Sequence, residues 1–420
     1  MKKNTIDIKK QAIEAIREKL IGRQITYDQA YAIMYSFSNN LLGEIFVAYF
    51  AAASFKGGFN DDELYFLTKA MVETGNKLSL KGVVADKHSI GGMPGTRTTL
   101  VIVPIIAAAG YLIPKTSSRA ITTPAGTADC MEVLAPVEFE VAQVERIVHK
   151  TGGCIIWNGM LGLAPADDII IRVEKPLAFE SFDKVIISIL AKKIAASSQF
   201  MVLDIPVGPT MKIRHATDAI AFKDKFTRIA SRFGLQVEAD INYQREPAGF
   251  GIGPVYEVRD ALAVLEQNKT RSHDLEYKSV KLATKLLEMC FKADKRTQDA
   301  GSLVRTILSS GKALEKLREI SQAQGGRGDF SSNSLPKSRY SFEVKAPRSG
   351  TISGVNNYYI TAIAKVLGAP HEKVAGMILV KRFAEKVAKN ETLYIMHTNK
   401  QVALKEAIET ARYMPIYTIE

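Results

Sequence analysis

From Val83 onward the chain alternates short β-branched runs with helical stretches, and this alternation constrains the fold more than any other feature. Residues 83–85 (VVA), 98–109, 154–157 (CIIW), 200–205 (FMVLDI) and 237–241 (VEADI) are apolar and rich in Val and Ile, while 218–233 has helical periodicity. Strands separated by helices assemble into a sheet with helices on its faces. The pattern predicts an α/β lobe over 77–164 and 199–335 with a central mixed sheet.

The first seventy-odd residues read differently. Ile13, Ile16 and Leu20 recur at helical spacing, Thr26 with Gln29 has the spacing of a capping box, and Gly57-Gly58 stops a third helix. Asn60 followed by Asp61, Asp62 and Glu63 is an N-cap with acids in the first turn, where carboxylates complement the helix dipole rather than gather a metal. An all-helical lobe is expected over 1–76, rejoined by 165–198, whose VIISILAKKIAA stretch is strongly amphipathic; that crossing leaves a cleft between the lobes. Residues 323–340 are rich in Gly, Ser and charge and read as a linker or mobile loop. Beyond it, APRSGTISGV and KVAKNETLYIMH look like strands around one helix, Ile360 to Leu367, giving a small C-terminal α+β domain over 341–420.

Composition narrows the class of protein. Cys130, Cys154 and Cys290 are too few and too widely spaced for a disulfide framework or a paired-cysteine zinc site, and read as buried thiols in a reducing compartment. The charged start is followed by Gln11, Glu14, Arg17 and Glu18, unlike a secretory signal. The longest apolar run, Leu100 to Pro114, is broken by Pro104 and Gly110 and falls short of the ~18 residues of a membrane span. A cytoplasmic protein with no membrane partner is expected. Lys and Arg outnumber Asp and Glu by 56 to 44, a formal net charge of +12 that favours phosphate-bearing partners. Because those cations are spread over all segments with no aromatic-basic stripe, a nucleic-acid partner is not expected, although the charge alone allows one.

Two segments carry chemistry. Asp86-Lys87-His88-Ser89-Ile90-Gly91-Gly92-Met93-Pro94-Gly95 follows a short strand and leads into a helix, so Gly91, Gly92 and Gly95 let backbone N–H groups approach an anion while Lys87 and Ser89 offer charge and a hydroxyl. It is neither a Walker loop nor a dinucleotide fingerprint, and on spacing alone it fits a phosphate cradle and an ordinary turn equally. The second segment, Lys115 to Asp129, is dense in hydroxyls and cations; such loops commonly cap helices, but this one follows a neighbouring strand end, where open sheets bind ligands. The glycines of PAGFGIGP read as a structural turn.

DKHSIGGMPG, KTSSRAITTPAGTAD, ISILAKKIAA, VGPTMK, GIGPVYEVRDALAVLE and SGKALEKLREISQAQGG together resemble the thymidine phosphorylase and AMP phosphorylase family over nearly the whole chain. The resemblance implies a helical lobe, an α/β lobe and a C-terminal α+β domain, with the site in the cleft between the first two. Pyrimidine enzymes usually read SGRGxGHTGGTxD where this chain has SSRAITTPAGTAD, so the AMP phosphorylase branch is the nearer one. Lys87, Ser89, Ser117 and Thr127 match phosphate-binding positions, beside Gly91 and Gly92 of the cradle. Gly92, Ser118, Arg119, Thr122, Thr123, Thr127, Ser188 and Lys212 match nucleotide-binding positions; Arg172, Ser188 and Lys192 resemble a base-binding trio, and His88 a histidine facing the base. Glu180, eight residues before Ser188, stands where AMP phosphorylases have a proton-donating aspartate. Met93 and Phe250 are departures, the extra N-terminal domain of archaeal AMP phosphorylases is not expected here, and a homodimer is expected.

The implied reaction is phosphorolysis of a nucleoside 5′-monophosphate or nucleoside, with inorganic phosphate as co-substrate and no metal or organic cofactor. In the 5′-monophosphate case a second anion site is needed, for which Arg119, Thr122, Thr123 and Lys212 are the candidates. A phosphoribosyltransferase of related fold is the enzymatic rival and needs Mg²⁺ held by acids; Asp167-Asp168 is the only acidic pair nearby and reads as a helix N-cap or hinge. The last domain faintly resembles a lipoyl or biotinyl carrier but has no modifiable lysine in the expected hairpin.

Overall fold

Local capping signals set the N-terminal helices. The computed structural model describes residues 5–56, 58–177 and 181–420, beginning with α1 (Thr5–Leu20), α2 (Tyr27–Ser38), α3 (Glu44–Lys56) and α4 (Asp61–Glu73). Thr26 closes a capping box with Gln29 at the head of α2, and Asn60 does the same with Glu63 at α4. The three acids of that first turn are separately ion-paired, Asp61 with Arg228, Asp62 with Arg232 and Glu63 with the buried Lys19.

The α/β lobe follows as β1 (Ala85–Ser89), α5 (Thr99–Ala108), β2 (Ile113–Ser117), α6 (Thr127–Met131), α7 (Val141–Thr151) and β3 (Gly153–Trp157). The chain then returns to the first helices through α8 (Pro165–Leu177) and α9 (Phe182–Ala195), which pack on α2, α3 and α4, before β4 (Phe200–Val207), α10 (Ala216–Ser231) and β5 (Gln236–Tyr243). β1 pairs with β4, β4 with β5 and β2 with β3, and a bridge between Val84 and Leu112 joins the two groups in the order β3-β2-β1-β4-β5. Every described pair is parallel, so the sheet expected as mixed is a parallel one; each connection is a helical crossover, which returns the chain to the same edge in the same direction.

β4 is buried at every position, and its two faces serve two cores. Phe200 and Val202 join α5 and the later helices, whereas Met201, Leu203, Ile205 and Val207 join the core of the N-terminal helices. The β-branched run at 98–109 is α5, a helix apolar on all sides because it is buried on all sides.

The remainder comprises β6 (Gly251–Ile252), α11 (Pro254–Leu265), α12 (His273–Asp294), α13 (Ala300–Ser309), α14 (Lys312–Ala323), β7 (Tyr340–Lys345), β8 (Gly350–Val355), α15 (Asn357–Val366), β9 (Gly376–Leu379), β10 (Lys386–Val387), β11 (Thr392–Thr398), α16 (Gln401–Tyr413) and β12 (Tyr417–Ile419). β6, cut from PAGFGIGP, pairs antiparallel with β9 and ties the α/β lobe to the C-terminal sheet β6-β9-β11-β7. That domain has a second helix, α16, which sequence patterning does not reveal because only Ala407 of it is buried.

The segment read as a linker is docked. Gln324 accepts from Ile155 N–H at 2.9 Å and donates to Pro136 O at 2.8 Å, Ser332 is held by Glu266, and Phe330 and Leu335 are buried. Its Gly and Ser content suggested freedom that a few anchoring side chains remove. Cys130, Cys154 and Cys290 are buried and unpaired. No helix among the described residues is long and apolar enough to cross a membrane.

Candidate active site

Parallel pairing brings the carboxyl ends of β1, β2, β3 and β4 to one edge, where they face the N-terminal helices across a cleft of about 690 Å³. Met34, Phe50 and Met71 line the helical side and Ile170, Ile171 and Val185 the end formed by α8 and α9. Among the described residues Lys87, Arg97, Lys115, Arg119, Lys184, Lys192, Lys193, Lys212 and Lys278 line it beside three carboxylates, Asp167, Glu174 and Asp204; Arg97, Arg119, Lys184, Lys192, Lys193 and Lys278 are themselves ion-paired with carboxylates in or around the cleft.

In the middle of β1, Lys87 is 3% exposed and has no ion pair among the described residues. Burial pushes its pKa down to about 8, with Lys278, Arg97 and Lys193 adding repulsion that Asp204 opposes. The buried Ser117 hydroxyl at the end of β2, which also lines the cleft, has no hydrogen-bond partner among the described residues. A buried cation and an unpaired hydroxyl that line a cleft are costly on their own and suit an anion. Gly92, at φ 91°, belongs to the glycine turn; a Cβ there would stand 3.1 Å from Lys212 Cγ, which packs across the turn. Ser89 donates to Asp204 at 2.9 Å, so its proton is already committed. Asp204 also takes Asn242 at 2.8 Å and Lys278 at 3.0 Å, and these cations and donors hold its carboxyl below the usual range although burial pushes the other way.

Arg97, absent from the sequence-based candidates, clamps the second loop. It donates to Glu257 at 2.6 and 2.8 Å, to Ala125 O at 2.7 Å and to Thr127 Oγ1 at 3.1 Å. By accepting that bond Thr127 turns its own proton elsewhere. Gly126 allows the loop to fold back, since a Cβ would meet the Arg119 carbonyl carbon at 2.5 Å. Arg119 is spent on its neighbours: it grips Glu132 at 2.7 and 2.8 Å and Glu138 at 2.8 Å, and Lys373 shares Glu132. Its charge is therefore neutralised where a second phosphate was expected to use it. Ser118, Thr122 and Thr123 line the cleft, as does Lys212.

At the other end, Ser188 donates to Asp167 at 2.8 Å, and Lys192, on the next turn of α9, pairs with the same carboxylate and reaches Ser188 at 3.3 Å. Arg172 does not join them. Ile170, Ile171 and Glu174 occupy the cleft face of α8, which sends Arg172 to the exposed side, 3.7 Å from Glu44. His88 lines the cleft, and burial together with Lys193, Lys115, Lys87 and Lys192 holds its pKa well below the ordinary histidine value, so it is a neutral imidazole. Glu180 lies outside the described residues. Among the described residues no group of three or more His, Cys, Asp or Glu is arranged to hold a metal.

The depressed Lys87 pKa makes a prediction. Its charge is present below about pH 8 and lost above it, so KM for phosphate should climb as pH rises through about 8 at constant ionic strength. A KM that is flat from neutrality to well above that point contradicts a phosphate beside Lys87.

Comparison with known proteins places this geometry in a family. Residues 81–314 match the glycosyl transferase family a/b domain. A protein of Methylococcus capsulatus named "Putative thymidine phosphorylase" is 41% identical over 97% of this chain and 78% of its own length. The AMP phosphorylase of Thermofilum pendens is 41% identical over 95% of this chain and 76% of its own, and that of Methanococcus vannielii 38% identical over 96% and 80%. Anthranilate phosphoribosyltransferase from Thermus thermophilus superposes with a TM-score of 0.62 over 74% of this chain and 99% of its own, at 17% identity, a likeness of fold alone.

Proposed function

Because this chain belongs to the glycosyl transferase family of the thymidine and AMP phosphorylases, we propose that it is a pentosyl-transferring phosphorylase whose substrate is a nucleoside 5′-monophosphate, cleaved by inorganic phosphate to free base and ribose 1,5-bisphosphate. The observation that carries this reading is the buried Lys87 ammonium, without an ion pair among the described residues, beside the unpartnered Ser117 hydroxyl: together they suit one anion, and Lys212 across Gly92, with the Thr122 hydroxyl, suits a second.

An oxygen of phosphate attacks the anomeric carbon while the bond to the base nitrogen breaks. Positive charge develops on the sugar, and the phosphate held at Lys87 and the Thr127 hydroxyl both stabilises it and captures it. The base lies against Ile170, Ile171 and Val185, with Ser188 and Lys192 at its polar edge. Its departing electron pair needs a proton, and that role is assigned to Glu180. Neutral His88 orients the base by hydrogen bonding rather than by charge. Phosphate is nucleophile and acceptor at once, so the chemistry calls for no group carrier.

The test is release of free base from AMP, CMP, UMP, adenosine, uridine and thymidine, each with and without phosphate. Phosphate-dependent release from monophosphates in strong preference to nucleosides is expected. Preference for thymidine or uridine assigns a pyrimidine nucleoside instead, and release that ignores phosphate removes the phosphorylase reading.

A further inference from the structure

Lys212 stands on the turn that leaves β4, closed by Gly208 N–H on Ile213 O at 3.2 Å and Met211 N–H on Gly208 O at 3.1 Å. The C-terminal domain grips this turn from behind. Asn357, the first residue of α15, is 1% exposed, and its side-chain amide donates to Thr210 Oγ1 at 2.7 Å and to Arg245 O at 3.0 Å, joining the turn to the chain beyond β5. Tyr358 donates to Met211 O at 3.4 Å. Two turns further along the same helix, Lys365 donates to Ile121 O at 3.2 Å, next to Thr122 and Thr123. One helix thus holds both loops that form the proposed second anion site.

Resting on the reading of Lys212 as a ligand of the substrate's 5′-phosphate, we propose that Asn357 is a positioning residue that sets the reach of Lys212 from outside the cleft. Both amide hydrogens of Asn357 are spent on the two acceptors it bridges, so the side chain acts as a strut of fixed length between the turn and residue 245. Its donors are buried, and removing them frees a turn whose own closure rests on a few backbone bonds. A displacement of about 1 Å at Lys212 is enough to weaken a charge-assisted contact severely. The phosphate at Lys87 is held by other elements and should not register the change.

The test is a double-mutant cycle of Asn357→Ala and Lys212→Ala, with AMP and inorganic phosphate as the varied substrates. Asn357→Ala should raise KM for AMP about tenfold and change KM for phosphate by less than about twofold. In the Lys212→Ala background the same substitution should add less than about twofold, because its effect passes through Lys212. Thr210→Val removes one acceptor from the turn's side and should reproduce the shift if Asn357→Ala fails to fold. Equal losses in both backgrounds, or equal shifts in both KM values, overturn the positioning role while leaving the function in place. If Lys212→Ala alone leaves KM for AMP unchanged, the 5′-phosphate reading falls and the proposal with it.

Discussion

Lys87→Met is expected to raise KM for phosphate by about 10²–10³-fold while leaving the melting temperature unchanged or higher. The two effects have one cause. Lys87 is a buried ammonium without an ion pair among the described residues, and burial already pushes its pKa down, so the folded protein bears a cost for keeping it charged. Methionine fills the space at no such cost. A phosphate, in contrast, loses the buried cation of β1 that has no ion pair among the described residues. Steady-state kinetics with phosphate varied, beside a thermal melt, separates the outcomes; a KM shift under about threefold would show that Lys87 is not the phosphate ligand, and a loss of stability would make it structural.

Lys193→Met should act in the opposite way, on stability first. Lys193 on α9 is 1% exposed and meets both oxygens of Asp86, at 2.9 and 3.0 Å, while Asp86 is wholly buried at the head of the glycine turn. Ser198 at 3.1 Å and the Lys87 N–H at 2.7 Å complete its shell. Without Lys193 two neutral donors are left to support a buried carboxylate, and breaking such a pair costs about 3–5 kcal/mol. The unfolding midpoint in denaturant should fall accordingly. Adding Asp86→Asn should restore part of the loss, since the stranded charge is removed; a double variant no better than the single one contradicts this assignment. Because this pair joins α9 to β1, it also locks the base end of the cleft to the phosphate end.

What was legible in the sequence was local. The capping box at Thr26, the N-cap at Asn60, the buried run of β4 and the two polar loops depend on residues within a few positions of one another, and all appear where their spacing put them. What was not legible depends on partners far along the chain. Arg97 reads as one cation among many until Glu257, 160 residues later, meets it inside the lobe, and Asp204 has no evident role until Ser89 and Lys278 converge on it. Arg119 was expected to be available, but Glu132 and Glu138 neutralise it. Ser188 and Lys192, one turn apart on α9, come together with Asp167 as helical spacing allows, whereas Arg172 sits on the wrong face of α8 by the same geometry. The parallel order of the central sheet, set by helical crossovers, could not be read from any one segment.

The central claim is that phosphate itself attacks the sugar, and the most direct measurement follows its oxygens. AMP incubated with ¹⁸O-labelled inorganic phosphate should yield adenine and a pentose bisphosphate in equal amounts, with the new phosphate at C1 retaining every labelled oxygen. Adenine accompanied by unlabelled sugar and undiminished labelled phosphate would mean that water is the nucleophile and that the cleft described here is not a phosphorylase site.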